Sequence, residues 1–231
     1  YLEFYKISSS DLTNRMLISR ILKTKKPIIM SCGASSIKEI DNAVSFIKDT
    51  SINSKLSLLH CVLNYPCDPS NANISVIESL ISRYKNDCEE FGYSCHVPMP
   101  EGIDCCLAAI TKGATIIEKH FTTSRIKTGN DHYHAMTTED MHSFRQQETK
   151  LIQILGNGEP NLEIQESARN NARRSIYALN DIKMGDIIDK DNLIALRPIK
   201  GIAAEDLDII IGKKFNKNKK KGEPIYQEDI S

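Results

Sequence analysis

Five short apolar runs recur along the first half of the chain, and their order constrains the fold more than any other feature. They are FYKIS (4–8), PIIMSCG (27–33), LSLLHCV (56–62), YSCHV (93–97) and TIIEKHF (115–121). Each reads as a strand, and helix-period stretches stand between them: Leu17, Ile18, Ile21 and Leu22; Ile37, Ile40, Val44 and Ile47; Ile74, Ile77, Leu80, Ile81 and Tyr84; then an Ala-rich pattern. Ser36 and Glu39 form a capping-box pair at the start of the second helix. Near-continuously apolar strands alternating with helices predict a parallel sheet buried on both faces. Polar residues end strand after strand rather than gathering at one switch point, which favours a (β/α)8 barrel over an open doubly wound sheet.

A capping pair at Thr137 and Asp140 predicts a further helix over about 141–155. Residues 156–174 are polar and lack periodicity, and they read as a linker after a barrel segment of 1–155. From Ser175 to Ser231 short β-like runs broken by KMGD, DKDN and PIKG predict a small β-rich module. Lysines 213, 214, 217, 219, 220 and 221 crowd one stretch of it. That stretch reads as a solvated hairpin, with anion binding as the lesser alternative.

Lys+Arg and Asp+Glu both number 30, so no global field recruits nucleic acid or an anionic membrane. No apolar run reaches the ~18–20 residues of a membrane span. The seven cysteines form no CxxC pair, which speaks against a zinc cluster or a disulfide framework and points to reduced thiols in a cytoplasmic protein.

The chemistry concentrates in Gly92–Met136, which holds four of the six histidines: His96, His120, His132 and His134. His96 and His120 each close a strand. They read as a two-histidine metal site, or as two unrelated histidines, one of them a satisfied core residue. Imidazole nitrogen with oxygen from substrate and water suits Mn²⁺, Mg²⁺ or Fe²⁺. Glu118 points to the same side as His120, either to orient a water beside a metal or as a charge-paired barrel residue. Lys6, Ser9, Ser31 and Ser94 offer a cation and hydroxyl donors for a phosphate, although no P-loop or GxGxxG is present.

The motifs KISSSDLTN, KPIIMSCGAS, LLHCVLNYP, GYSCH, GATIIEKHF and GNDHYHAM resemble, in that order, those of the N-acetylneuraminate (sialic acid) synthase family. The run ALNDIKMGDIIDKDNLIALRP, followed by GI and IIGKK, is similar to its carboxyl-terminal SAF (antifreeze-like, β-clip) domain. The resemblance implies a TIM barrel, here about its last five βα units, followed by SAF. It implies condensation of phosphoenolpyruvate with N-acetylmannosamine or a related N-acetylated amino sugar. The products would be a nine-carbon 2-keto acid and phosphate. By the resemblance, His96 and His120 are metal ligands, Mn²⁺ foremost and Mg²⁺ next. Lys6, Ser9, Ser31 and Ser94 hold phosphoenolpyruvate; Tyr65, Glu118 and Asp131 surround the sugar. Arg197 reaches the site of the partner protomer in a domain-swapped homodimer. A phosphoenolpyruvate synthase of the DAHP or KDO-phosphate type is the alternative enzyme, which the SAF-like tail disfavours. A non-catalytic remnant that only binds or dimerises is the other alternative.

Cys95 departs from the family's usual aspartate, which implies an altered metal affinity or an altered tautomer of His96. Leu63, Thr128 and the Ile199-Lys200 pair are further departures. The sequence opens at what resembles the fourth barrel strand, which implies a fragment of a longer product.

Overall fold

The computed structural model describes residues 2–51 and 54–231. The chain divides into two units, Tyr1–Gly156 and Asn157–Ser231. In the first, the apolar runs form β1 (Tyr5–Ile7), β2 (Ile28–Ser31), β3 (Leu56–Cys61), β4 (Glu90–Cys95) and β5 (Ile116–Lys119). They pair in parallel in the order β1-β2-β3-β4-β5. The helices α1 (Arg15–Leu22), α2 (Ile37–Thr50), α3 (Val76–Tyr84) and α4 (Glu101–Thr111) connect them, and α5 (Thr138–Leu155) follows β5. This is a half-barrel of TIM type, five strands of the eight, as the apolar runs predict.

Register decides which side chains share a face. Cys61 pairs with Ser94 and Ser94 with Glu118. One step of the pleat earlier, Ser31 pairs with Leu59; a further step earlier, Lys6 pairs with Ile29. Because strand side chains alternate, Lys6, Ser31, Cys61, Ser94 and Glu118 lie on one face. The other face carries Ile28, Met30, Leu56, Leu58 and Phe91 into a core with Ile18, Ile40, Ile47 and Leu80 of the helices. Tyr93, Cys95 and Val97 join a second core with Ile103, Cys106, Ala109 and Phe144. Gly92 is required where β4 runs between its neighbours: a Cβ there would lie 2.2 Å from the Ile116 carbonyl oxygen and 2.5 Å from the Leu59 side chain.

Both sequence-read caps form. The Ser36 hydroxyl accepts the Glu39 N–H while the Glu39 carboxylate accepts the Ser36 N–H, and Thr137 and Asp140 do the same. The cap sets the start of α5 at Thr138, three residues before the expected Met141, because a capping box fixes the first turn and not the first apolar residue.

In the second unit, Glu166–Ala172 forms α6 inside the stretch read as a linker. Every residue of α6 is exposed, so it shows no apolar stripe for periodicity to detect. The strands β6 (Ser175–Ala178) and β7 (Leu193–Leu196) pair antiparallel over a core of Ile176, Ile188, Phe215, Ile225 and Ile230. The lysine-rich stretch is not a plainly solvated hairpin. Lys217 and Lys219 place their ammonium groups 2.8 Å and 2.5 Å from the buried carboxylate of Asp229, and Lys220 pairs with Asp181.

Candidate functional site

The carboxyl ends of the five strands carry the polar residues. The Ser94 hydroxyl donates to Glu118 Oε1 at 2.6 Å, and Lys6 Nζ lies 3.3 Å from Glu118 Oε2. Lys6 also donates to the Ile7 carbonyl at 3.1 Å. Glu118 is therefore tied to both Lys6 and Ser94. Ser9, in the turn after β1, accepts the Gly33 N–H at 2.9 Å, which binds the ends of β1 and β2 together. Ser31 is 2% exposed, and among the described residues its hydroxyl has no hydrogen-bond partner. Buried hydroxyls are rarely left so.

His96 follows the last residue of β4 and His120 the last of β5. Their ring centroids lie 5.2 Å apart, so the two sequence-read histidines do meet. His96 Nδ1 is 2.9 Å from the Val62 carbonyl oxygen. A carbonyl oxygen can only accept, so in this contact Nδ1 carries the proton and Nε2 keeps its lone pair. Burial, chiefly, lowers the His96 pKa, and the neighbouring His120 adds to this. His120 Nδ1 lies 3.8 Å from Asp131 Oδ2. Asp131 sits in the left-handed region at φ 75°, which Asp tolerates better than most residues. The Tyr65 ring packs 4.1 Å from His96 and 5.7 Å from His120. Burial raises the Tyr65 pKa, helped by nearby Cys61, Asp131 and Glu118.

Cys95 lies on the opposite face. Its Sγ is 3.9 Å from the Gly102 carbonyl oxygen of α4, and it is packed with Cys106. The Cys106 thiol and the Lys119 ammonium pull its pKa below the usual thiol value against the cost of burial. The expected influence of this departure on His96 thus has no contact to act through; the Val62 carbonyl sets the tautomer instead. Arg197 is an exposed residue directly after β7 in the second unit.

Two residues of the site carried no sequence assignment. Cys61 lies between Ser9 and Ser94, with Sγ 3.7 Å from His96 Nδ1, and burial raises its pKa. His134 is fully buried with neither ring nitrogen partnered, and its ring lies 4.8 Å from that of His120. Burial first, then the charge of His120 and Lys119, lowers its pKa to about 4. The HYH spacing of Gly129–Met136 was the available signal. It did not separate His134 from His132, whose Nδ1 is taken by the Thr122 hydroxyl at 2.8 Å. The donor set suits a divalent cation: a free Nε2 on His96, a second imidazole at His120 and a carboxylate at Asp131.

The model of the NeuB family matches residues 1–160, and that of the SAF domain matches residues 173–231. The N,N'-diacetyllegionaminic acid synthase of Campylobacter jejuni is 33% identical over 228 residues, 98% of this chain and 66% of that protein. The chain thus spans slightly under two thirds of the relative's length. The N-acetylneuraminic acid (sialic acid) synthetase structure from Leptospira borgpetersenii is 35% identical with a TM-score of 0.65, covering 72% of this chain and 56% of that one. The spore coat polysaccharide biosynthesis protein E structure from Chromobacterium violaceum has a TM-score of 0.84 at 24% identity. It covers 100% of this chain and 68% of that one, a likeness of fold.

Proposed function

The chain belongs to the NeuB family, and on that premise we propose that its strand-end site serves a nonulosonic acid synthase. The reaction would condense phosphoenolpyruvate with N-acetylmannosamine or a related N-acetylated amino sugar, giving a nine-carbon 2-keto acid and phosphate. One observation carries the reading: the linked Lys6, Glu118 and Ser94, with the unpartnered Ser31 hydroxyl, share a strand end with the His96–His120 pair.

Lys6 and the hydroxyls of Ser9, Ser31 and Ser94 take the phosphate and carboxylate oxygens, since hydrogen bonds to ionised groups are the stronger ones. His96 and His120 would hold a divalent cation, Mn²⁺ or Mg²⁺. When bound, it supplies Lewis acidity at the aldehyde oxygen of the open-chain sugar. Tyr65 and Asp131 flank the sugar and orient its aldehyde toward the phosphoenolpyruvate methylene. As the methylene carbon bonds to the aldehyde carbon, the aldehyde oxygen takes up a proton and becomes a hydroxyl. Glu118, fixed by Ser94 and Lys6, positions the water that adds at C2 and accepts its proton. Phosphate then departs with the bridging oxygen as the new C2 hydroxyl loses its proton to leave the keto group. Arg197 is assigned to the site of a partner protomer in a domain-swapped homodimer, where its guanidinium meets the N-acetyl group. The reading places the protein in the cytoplasm, where phosphoenolpyruvate is available.

The test is phosphate release from phosphoenolpyruvate by the full-length protein with Mn²⁺, across a panel of N-acetylated hexoses including N-acetylmannosamine. Release dependent on one acceptor is expected. No release with any of them would overturn the reading.

A further inference from the structure

Among the described residues, three buried side-chain polar atoms lack a hydrogen-bond partner, and two of them are the nitrogens of His134. It is fully buried, yet neither Nδ1 nor Nε2 has a hydrogen-bond partner. A neutral imidazole has one donor and one acceptor, and leaving such a group buried and unsatisfied costs about 1–3 kcal/mol. A ring that only filled space could be apolar at no such cost. The ring instead faces a cluster of donors. Its centroid lies 4.8 Å from that of His120 and 6.2 Å from that of His96. One donor atom each from His120, Asp131 and His134 lie within 4.8 Å of one another. Ligands around a Mn²⁺-sized ion at about 2.1–2.2 Å stand roughly 3–4.3 Å apart, so a small closure would bring all three to one ion. Backbone geometry contributes as well: Asp131, in the left-handed region, turns the chain into the 3-10 turn His132–His134 that carries the ring inward.

We propose that His134 is a direct protein ligand of the divalent cation held at His120, with Asp131 supplying a carboxylate oxygen. This rests on the metal reading above and extends it beyond the two strand-end histidines. Two imidazoles leave an ion to be completed almost wholly by substrate and water. A further imidazole and a carboxylate let the ion be bound before either substrate arrives, with His134 presented from the loop after β5 rather than from a strand.

The probe is Mn²⁺ alone, titrated calorimetrically into the full-length protein, with pulsed electron paramagnetic resonance counting the imidazole nitrogens coupled to the bound ion. In His134→Phe, affinity is expected to fall at least about tenfold, the lower end of what even outer partners of metal ligands contribute. The spectrum is expected to lose one imidazole. The metal-free melting temperature is expected to hold or rise, because two unsatisfied nitrogens are removed. Unchanged affinity with an unchanged nitrogen count would overturn the proposal while leaving the strand-end metal reading intact. Mn²⁺ binding that is equally weak in the unmutated protein and in His120→Ala would overturn the metal reading itself, and this proposal with it. Should His134→Phe fail to fold, His134→Asn serves in the same comparison with the same two readouts.

Discussion

Asp229 in the second unit and His134 in the first are both almost wholly buried, at 1% and 0% exposure, and they are treated in opposite ways. Asp229 receives Lys217, Lys219 and the Tyr226 N–H, so each of its oxygens is occupied. Among the described residues His134 receives nothing on either nitrogen, and Ser31, in the same unit, has an unpartnered hydroxyl. Buried polar groups that are satisfied within the chain hold structure together. Buried polar groups left unsatisfied at the ends of barrel strands are what a ligand completes. The SAF-type unit thus uses its buried charge on its own fold, while the half-barrel leaves the Ser31 hydroxyl and both His134 nitrogens without partners among the described residues.

Substitutions should divide along the same line. On the barrel side the largest effect is expected from His120→Ala, which should lower kcat/KM for the proposed reaction of the full-length protein at least about a hundredfold, roughly 2.7 kcal/mol of transition-state stabilisation. Its urea midpoint should hardly move. Activity that survives unchanged across Mn²⁺ concentrations would break the division on the barrel side. Asp229→Ala should behave inversely. It leaves a lysine near the interior without its partner, and breaking such a pair costs about 3–5 kcal/mol, to be read from urea unfolding of the second unit. A loss below about 1 kcal/mol would show that the pair is exchangeable with solvent, as exposed pairs are.

Ser31→Ala comes next. Since no hydrogen bond is lost within the chain, stability should stay within about 0.5 kcal/mol. KM for phosphoenolpyruvate should rise by about tenfold, the equivalent of roughly 1.4 kcal/mol of binding. A smaller effect is expected from pH. Burial opposes ionisation of Asp229, but the hydrogen bonds from Lys217, Lys219 and Tyr226 outweigh it and hold its pKa below the usual aspartate value. A lowered carboxylate pKa means that the unfolded chain binds the proton more readily. The stabilisation is therefore complete above the unfolded aspartate value and is lost as pH falls through the folded one. Acid titration followed by unfolding should show a steeper loss of stability in the native protein than in Asp229→Asn, where the remaining carboxylates still titrate. The smallest effect is expected from Cys95→Ser. Its side chain faces α4 and not His96, so Mn²⁺ affinity should stay within about twofold of the native value, measured by calorimetry.

What could be read from the residues was the part governed by period and register. Apolar runs alternating with helical stripes gave the five parallel strands, and Ser36–Glu39 and Thr137–Asp140 gave two helix starts. Parity along β5 put Glu118 on the side of His120, and the same rule applied to β4 separates Cys95 from His96. The substitution at Cys95 drew attention to its neighbour in sequence when its neighbours in space are Gly102 and Cys106. His134 was hidden because it reaches the site from an irregular loop, where no periodicity assigns a direction. The partner of Lys217 and Lys219 was hidden for a related reason: Asp229 lies ten residues or more along the chain and meets them only after folding. The alternative roles of Glu118 needed coordinates too, because one carboxylate on a strand can face either a cation or a water.

The chemistry assigned to the barrel mouth makes a claim about one bond. If water adds at C2 and phosphate leaves by C–O cleavage, phosphoenolpyruvate labelled with ¹⁸O at the bridging oxygen should deliver that label to the released phosphate. The measurement is mass spectrometry of the phosphate formed by the full-length protein with Mn²⁺ and N-acetylmannosamine, or whichever N-acetylated hexose supports turnover. Label in the phosphate is expected. Label retained in the 2-keto acid would mean P–O cleavage and would contradict the addition of water at C2 and the role given there to Glu118.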